Sequence, residues 1–170
     1  RWRTAALRSL RNHLAAPTYA PAARRVRFSY GPESGRAAAD GNDVIPGQQV
    51  VLVRHAHAEW PAYTGRDFDR PLTPRGLGDA RNTAAAIRDA GHRPTLLLTS
   101  PAKRTRQTAE IIATTLGITG AAIRDVDALY NASCNTLDVE LRQALTAAPA
   151  VLLVAHNPGI SELARELSGN

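Results

Sequence analysis

The chain has 170 residues, 44% of them hydrophobic and 21% charged, which excludes a wholly disordered polymer and leaves enough apolar surface for one domain with a real core. No apolar run approaches the ~20 residues of a membrane-spanning helix, and the single Cys134 excludes an internal disulfide or a multi-cysteine zinc site. Residues 1–47 hold eight arginines against three acids, whereas 48–170 hold thirteen lysines and arginines against twelve acids, so the overall +6 does not point to nucleic acid as a partner.

At the start, Trp2, Ala6, Leu10 and Leu14 recur at helical spacing and predict a short basic helix. From residue 15 to 47 the chain is punctuated by Pro17, Pro21, Gly31, Pro32, Gly35, Gly41, Pro46 and Gly47, a breaker-rich text that reads as linker or irregular arm. Residues 1–47 are therefore set apart as a basic N-terminal arm and 48–170 as the folded domain. The arginine-rich, acid-poor start resembles an organelle transit peptide or a tail that binds an anionic surface. The favoured reading is a solvated tail or the remnant of a longer upstream region. The absence of methionine and the start at Arg1 lead to the expectation of a longer translated product, located in the cytoplasm unless the arm directs it to an organelle.

After Gly47 the pattern becomes regular. Val50-Val51-Leu52-Val53 is a continuous β-branched run, as expected of a strand buried on both faces. Thr73-Pro74 reads as an N-cap followed by proline at the first helical position, opening a helix through Ala80, Ala84 and Ile87 to Gly91. Leu96-Leu97-Leu98 is a second buried strand. Ser100-Pro101 repeats the cap-plus-proline device before a helix that turns Ala109, Ile112, Ala113 and Leu116 inward and stops at Gly117. A third strand is predicted near 122–126 and a helix over 135–145. A fourth strand follows at Val151-Leu152-Leu153-Val154, and a last helix runs from about Gly159 to Ser168-Gly169. Strands alternating with helices predict a three-layer α/β/α domain with a mostly parallel sheet.

In such sheets ligands bind beyond the carboxyl ends of the strands. The first strand is followed by Arg54-His55, the second by Thr99-Ser100-Pro101-Ala102-Lys103-Arg104, and the fourth by Ala155-His156-Asn157. Three strand exits thus deliver cation-forming groups and nothing acidic, which predicts an anion pocket. Phosphate suits it best, since guanidiniums match its oxygens bidentately and a helix N-terminus adds free N–H groups. Two histidines suit catalysis better than simple binding: one neutral imidazole can attack phosphorus, and the other can steady the transferring group. No metal or other cofactor is called for, because the arginines supply the positive field. Each residue taken singly has a plainer reading. A lone His55 or His156 is a surface or satisfied core histidine, Arg104 a solvated first-turn residue, and Arg54 a partner for Asp67 or Asp69. His57 is placed at the mouth of the site, and His13 and His92 on the surface.

These strings resemble the histidine phosphatase superfamily, which has a phosphoglycerate mutase-like fold. Val51-Leu52-Val53-Arg54-His55-Ala56 is similar to its Arg-His-Gly signature, 99–104 to its second-arginine segment, and Ala155-His156-Asn157-Pro158-Gly159 to its second histidine. Arg70-Pro71-Leu72-Thr73-Pro74-Arg75-Gly76 and Arg106-Gln107-Thr108-Ala109-Glu110 are most similar to the SixA-type phosphohistidine phosphatases. The resemblance implies His55 as nucleophile, Arg54 and Arg104 as phosphate ligands, His156 as partner imidazole, and Arg70 as a further contact at the mouth. It implies phosphohistidine on a protein as substrate and inorganic phosphate as product. The rival readings are a phosphomonoesterase on sugar phosphates or nucleotides, and a non-catalytic phosphate-binding module. Ala56 and Ala155 stand where the family usually has glycine. Mutase-type relatives carry a mid-domain catalytic glutamate; here the candidates for general acid are Asp69, Asp67, Glu59 and Asp127. Relatives also continue through another strand after the last helix, so a further C-terminal part is expected.

Overall fold

The computed structural model describes residues 24–26, 47–60 and 64–168. The helix expected over 2–14, His13 and most of the arm lie outside them. Strands β1 (Arg24–Val26), β2 (Gln49–Arg54), β3 (Leu96–Thr99), β4 (Ile123–Asp125) and β5 (Ala150–Ala155) form one sheet in the order β1-β2-β5-β3-β4. Four of them are parallel, and β1 lies antiparallel along the outer edge of β2. β1 is a correction to the reading of the whole arm as linker. Three residues inside a breaker-rich stretch carry no periodicity from which a strand could be read.

Helices α1 (Pro74–Asp89), α2 (Lys103–Leu116), α3 (Cys134–Ala147) and α4 (Gly159–Ser168) cover both faces. Alternation along the strands sorts the core into two halves. Val50, Leu52, Leu96, Leu98, Val151 and Leu153 pack with Leu137, Leu141, Ile160 and Leu163 of α3 and α4. Val51, Val53, Leu97, Leu152 and Val154 pack with Ala84, Ile87, Ala109 and Ile112 of α1 and α2. The result is the three-layer α/β/α arrangement expected from the alternating text.

Local chemistry sets the helix ends. The Thr73 hydroxyl accepts from Gly76 N–H at 3.0 Å and Pro74 opens α1, while α2 stops at Gly117 in the left-handed region, φ +71°. Ser133 caps α3 by accepting from Thr136 N–H. The expected Ser100 cap is not found. α2 begins at Lys103 behind Ala102, without a side-chain cap bond; the Ser100 hydroxyl makes only a long contact to Ala102 N–H, at 3.5 Å, and is engaged at 2.8 Å by a histidine across the sheet.

Gly76 reports on how closely α1 seats against the loop after β2, since a Cβ there would land on the His57 carbonyl oxygen. Gly76→Ala is expected to destabilise the domain by about 3 kcal/mol. Thermal unfolding checks this, with a fall in Tm of roughly 10 °C.

Candidate active site

The strand order decides what meets. β2, β5 and β3 are neighbours, in register with Arg54 beside Ala155 and Thr99 beside Val154. The exits are tied across β5: His55 N–H donates to the Ala155 carbonyl and Ser100 N–H to that of Val154, both at 3.1 Å. Arg54-His55, His156 and Ser100 therefore emerge side by side, with Arg104 in the first turn of α2 just beyond.

His55 is fixed through a hydrogen bond. Its Nδ1 lies 2.8 Å from the Ala56 carbonyl, which can only accept, so Nδ1 carries the proton. The Nε2 lone pair then faces the cavity, where it receives Arg104 Nε–H at 3.3 Å. Burial lowers the His55 pKa to about 4. The Ala56 bond opposes that shift, and Arg104, Arg54 and Arg70 reinforce it.

His156 is almost wholly buried, its ring centroid 5.2 Å from that of His55. An Arg104 Nη2–H donates to its Nδ1 at 3.2 Å, so Nε2 bears the hydrogen, 2.8 Å from the Ser100 hydroxyl oxygen. Burial, then Arg104 and His55, lower its pKa to about 3. Both imidazoles are neutral near pH 7. The arrangement is held from behind by Thr108, whose hydroxyl accepts from Ala56 N–H and donates to the Arg104 carbonyl.

Residues 56–60 and 64–73 form the near wall. It is pinned by the Ala58–Leu72 bridge, by Thr73 N–H on the His57 carbonyl, and by Gln107, whose side-chain oxygen accepts from Leu72 N–H. Asp67 reaches in from this wall. Its carboxylate accepts from Arg104 Nη2 at 2.9 Å, from the Tyr130 hydroxyl at 2.9 Å and from Arg70 Nε at 2.8 Å. Desolvation would raise its pKa, but the Tyr130 and Arg104 hydrogen bonds and the charges of Arg104 and Arg70 outweigh it and hold the carboxyl below its usual value. Arg70 also donates to the Glu59 carbonyl at 2.8 Å, with its guanidinium 5.0 Å from the Trp60 ring centre.

His55, His156, Arg54, Arg104 and Arg70 all line one cavity of about 1020 Å³, and His57 is among its lining residues. Of the four candidate acids, Asp67 lines it, whereas Asp69 pairs outward with Arg66, Glu59 contributes its carbonyl to Arg70, and Asp127 is exposed at the start of a one-turn helix. Arg104 is 2% exposed rather than solvated, and the two carboxylates suggested as Arg54 partners engage Arg104, Arg70 and Arg66. His92, expected on the surface, is buried. The sequence reading missed Ser100 as a histidine partner, Asp67 as the partner of Arg104 and Arg70, and Tyr130 as a site residue. Among the described residues, no group of three or more His, Cys, Asp or Glu is arranged to hold a metal ion, and no helix is long and apolar enough to cross a membrane.

A parallel sheet whose central exits gather two imidazoles and several guanidiniums around one hollow defines an anion-handling α/β domain. The family model described as "Histidine phosphatase superfamily (branch 1)" matches residues 50–138, more than half of the chain, and the chain belongs to that superfamily. A crystal structure from Agrobacterium tumefaciens, provisionally assigned as a phosphohistidine phosphatase SixA, matches with 37% identity and a TM-score of 0.63, over 71% of this chain and 76% of that one. An uncharacterised Arabidopsis thaliana protein described as chloroplastic is 28% identical over 130 residues, 72% of this chain but only 60% of the relative. A Photorhabdus laumondii protein, provisionally assigned as the phosphoglycerate mutase GpmB, is 43% identical over 72 residues, 41% of this chain and 32% of that protein.

Proposed function

We propose that the chain is a phosphatase that works through a phosphohistidine on His55 and acts on phosphohistidine carried by a protein. The observation that carries this reading is the His55 tautomer: Nδ1–H is committed to the Ala56 carbonyl and the Nε2 lone pair is aimed into an arginine-lined cavity. A phosphoryl group bound by Arg54 and Arg104 presents phosphorus to that lone pair. The N–P bond forms as the bond to the leaving group breaks, and the leaving nitrogen takes a proton from solvent. His156, drawn to its protonated form by the dianion, donates from Nδ1 to a phosphoryl oxygen and keeps Nε2–H on Ser100. Water then attacks phosphorus, the N–P bond breaks, inorganic phosphate leaves and His55 is restored.

The acid count favours an imidazole leaving group. Two carboxylates line the cavity: Asp67 is held ionised and is a poor proton donor, Asp79 lies against Arg75, and an imidazole departs without a tuned carboxylic acid. The likeness to the Agrobacterium structure supports the same substrate class. The small-molecule reading has its own support, since a cavity of about 1020 Å³ is at the upper end of ordinary small-ligand pockets and the GpmB relative is a provisional mutase. A panel of phosphohistidine peptide, sugar phosphates and nucleotides decides, with kcat/KM on the peptide expected to exceed the others. For location we propose the cytoplasm, or an organelle where the basic start acts as the transit peptide it resembles. The chloroplastic description of the Arabidopsis relative supports the latter.

The shifted imidazoles fix a pH dependence. His55 attacks only when neutral, and with its pKa lowered from 6.5 to about 4 it stays neutral on the acid side of neutrality. NMR titration of the free protein is expected to give a midpoint near 4 for His55, and the kcat/KM of the free enzyme to keep its His55-dependent limb there; a midpoint at 6.5 would overturn the burial argument. Stability moves with the same protons. Below pH 6.5 the unfolded imidazoles bind protons that the folded ones refuse, so stability falls with pH until about 4 for His55 and about 3 for His156.

A further inference from the structure

The donor inventory of Arg104 is nearly used up before any oxyanion arrives. Of its five N–H groups, Nε–H is on His55, one Nη1–H is on the Asp67 backbone carbonyl at 2.6 Å, and the two on Nη2 go to the Asp67 carboxylate and His156. Arg70 is similarly engaged: Nε and Nη2 lie 2.8 and 2.7 Å from Asp67 Oδ1, and Nη1 lies on the Glu59 carbonyl. One carboxylate thus bridges two guanidiniums of the cavity, where a phosphoryl group with the same charge sign and similar oxygen spacing would find its donors.

That carboxylate is redundant as a positioning device. Without it, Arg104 keeps His55, His156 and the Asp67 backbone carbonyl, and Arg70 keeps the Glu59 carbonyl and the Trp60 face. What Asp67 adds is negative charge at the anion site and an acceptor for the Tyr130 hydroxyl. The side chain is 42% exposed, so it can turn away about its own torsions while its backbone carbonyl stays on Arg104. Phe68, ring centroid 5.2 Å from that of Tyr130, anchors the adjoining backbone.

We propose that the Asp67 carboxylate is a built-in competitor for the oxyanion: it occupies Arg104 and Arg70 in the free protein, yields them to the phosphoryl group, and returns to displace inorganic phosphate at the end of turnover. The proposal rests on the phosphoryl-site reading above and adds a residue that sets affinity and product release. An internal ligand of this kind lowers apparent affinity by the fraction of molecules whose donors are occupied, and it speeds release by rebinding them.

Isothermal titration with inorganic phosphate tests it on wild type, Asp67→Asn, Asp67→Ala and Arg104→Lys, each first shown to be folded by thermal melting. Both Asp67 variants are expected to bind phosphate about tenfold more tightly than wild type, with the product-inhibition constant falling in parallel and kcat falling as release slows. Unchanged or weaker binding would overturn the proposal and make Asp67 a support for the arginines. A wild-type crystal structure with phosphate gives a readout independent of the variants. The Asp67 carboxylate is expected beyond hydrogen-bond distance of Arg104 Nη2, and its persistence there beside bound phosphate would equally overturn the proposal. Failure of wild type to bind phosphate, or binding indifferent to Arg104→Lys, would remove the underlying site reading instead.

Discussion

His55→Ala is expected to abolish turnover, with kcat on a phosphohistidine peptide or a generic aryl phosphate falling on the order of 10⁴-fold or more, as for loss of other covalent nucleophiles. The side chain is half-buried, and its contacts are with other groups of the site: the His156 ring, Arg104 and the Ala56 carbonyl. Its backbone N–H, which pairs with Ala155, survives the substitution, and Ala56 and the ends of β2 and β5 are unchanged. Melting temperature is therefore expected to stay within a few degrees of wild type. Brief exposure of the wild type to substrate, followed by an alkaline denaturing quench, should trap a base-stable phosphate on the protein that later acid treatment releases and that the variant lacks. More than a few per cent residual turnover would count against His55 as nucleophile. Absence of the label on a phosphate-binding wild type would favour the non-catalytic module.

Arg104→Lys is expected to cost about 10²–10³ in kcat/KM, the scale of losing a preorganised donor to a developing anion. Charge is kept, but the geometry is not. An ammonium on a flexible stem cannot reach His55 Nε2, His156 Nδ1 and the Asp67 carbonyl together as the planar fork does. His156 then has no fixed donor on Nδ1, and its tautomer is no longer specified. Nitrogen NMR of His156 should report a tautomer mixture where wild type shows Nε2–H alone, which separates loss of orientation from simple loss of binding.

Much of this site can be read along the chain because a parallel sheet collects its chemistry at one edge. Once Val50–Val53, Leu96–Leu98 and Val151–Val154 are read as buried strands, the residues after them must converge, and His55, Arg104 and His156 do. Thr73-Pro74 and Gly117 were equally legible, since their effects act within a turn of the helix they bound. Contacts that span the sequence were not legible. Ser100-Pro101 has the form of a cap, yet the hydroxyl is claimed by His156, 56 residues away, and the helix starts later. Asp67 and Tyr130 are 63 residues apart, and neither stands at a strand exit. The burial of His92 follows from the packing of the segment after α1, which no single residue type announces.

His55 and His156 directly follow adjoining strands locked in step, whereas the near wall of the cavity comes from a separate segment fastened at points such as the Ala58–Leu72 bridge and Gln107. Because Arg70 and Asp67, which binds both Arg70 and Arg104 at the cavity, lie on that wall, an exchange of the wall to retarget the domain must keep those two positions.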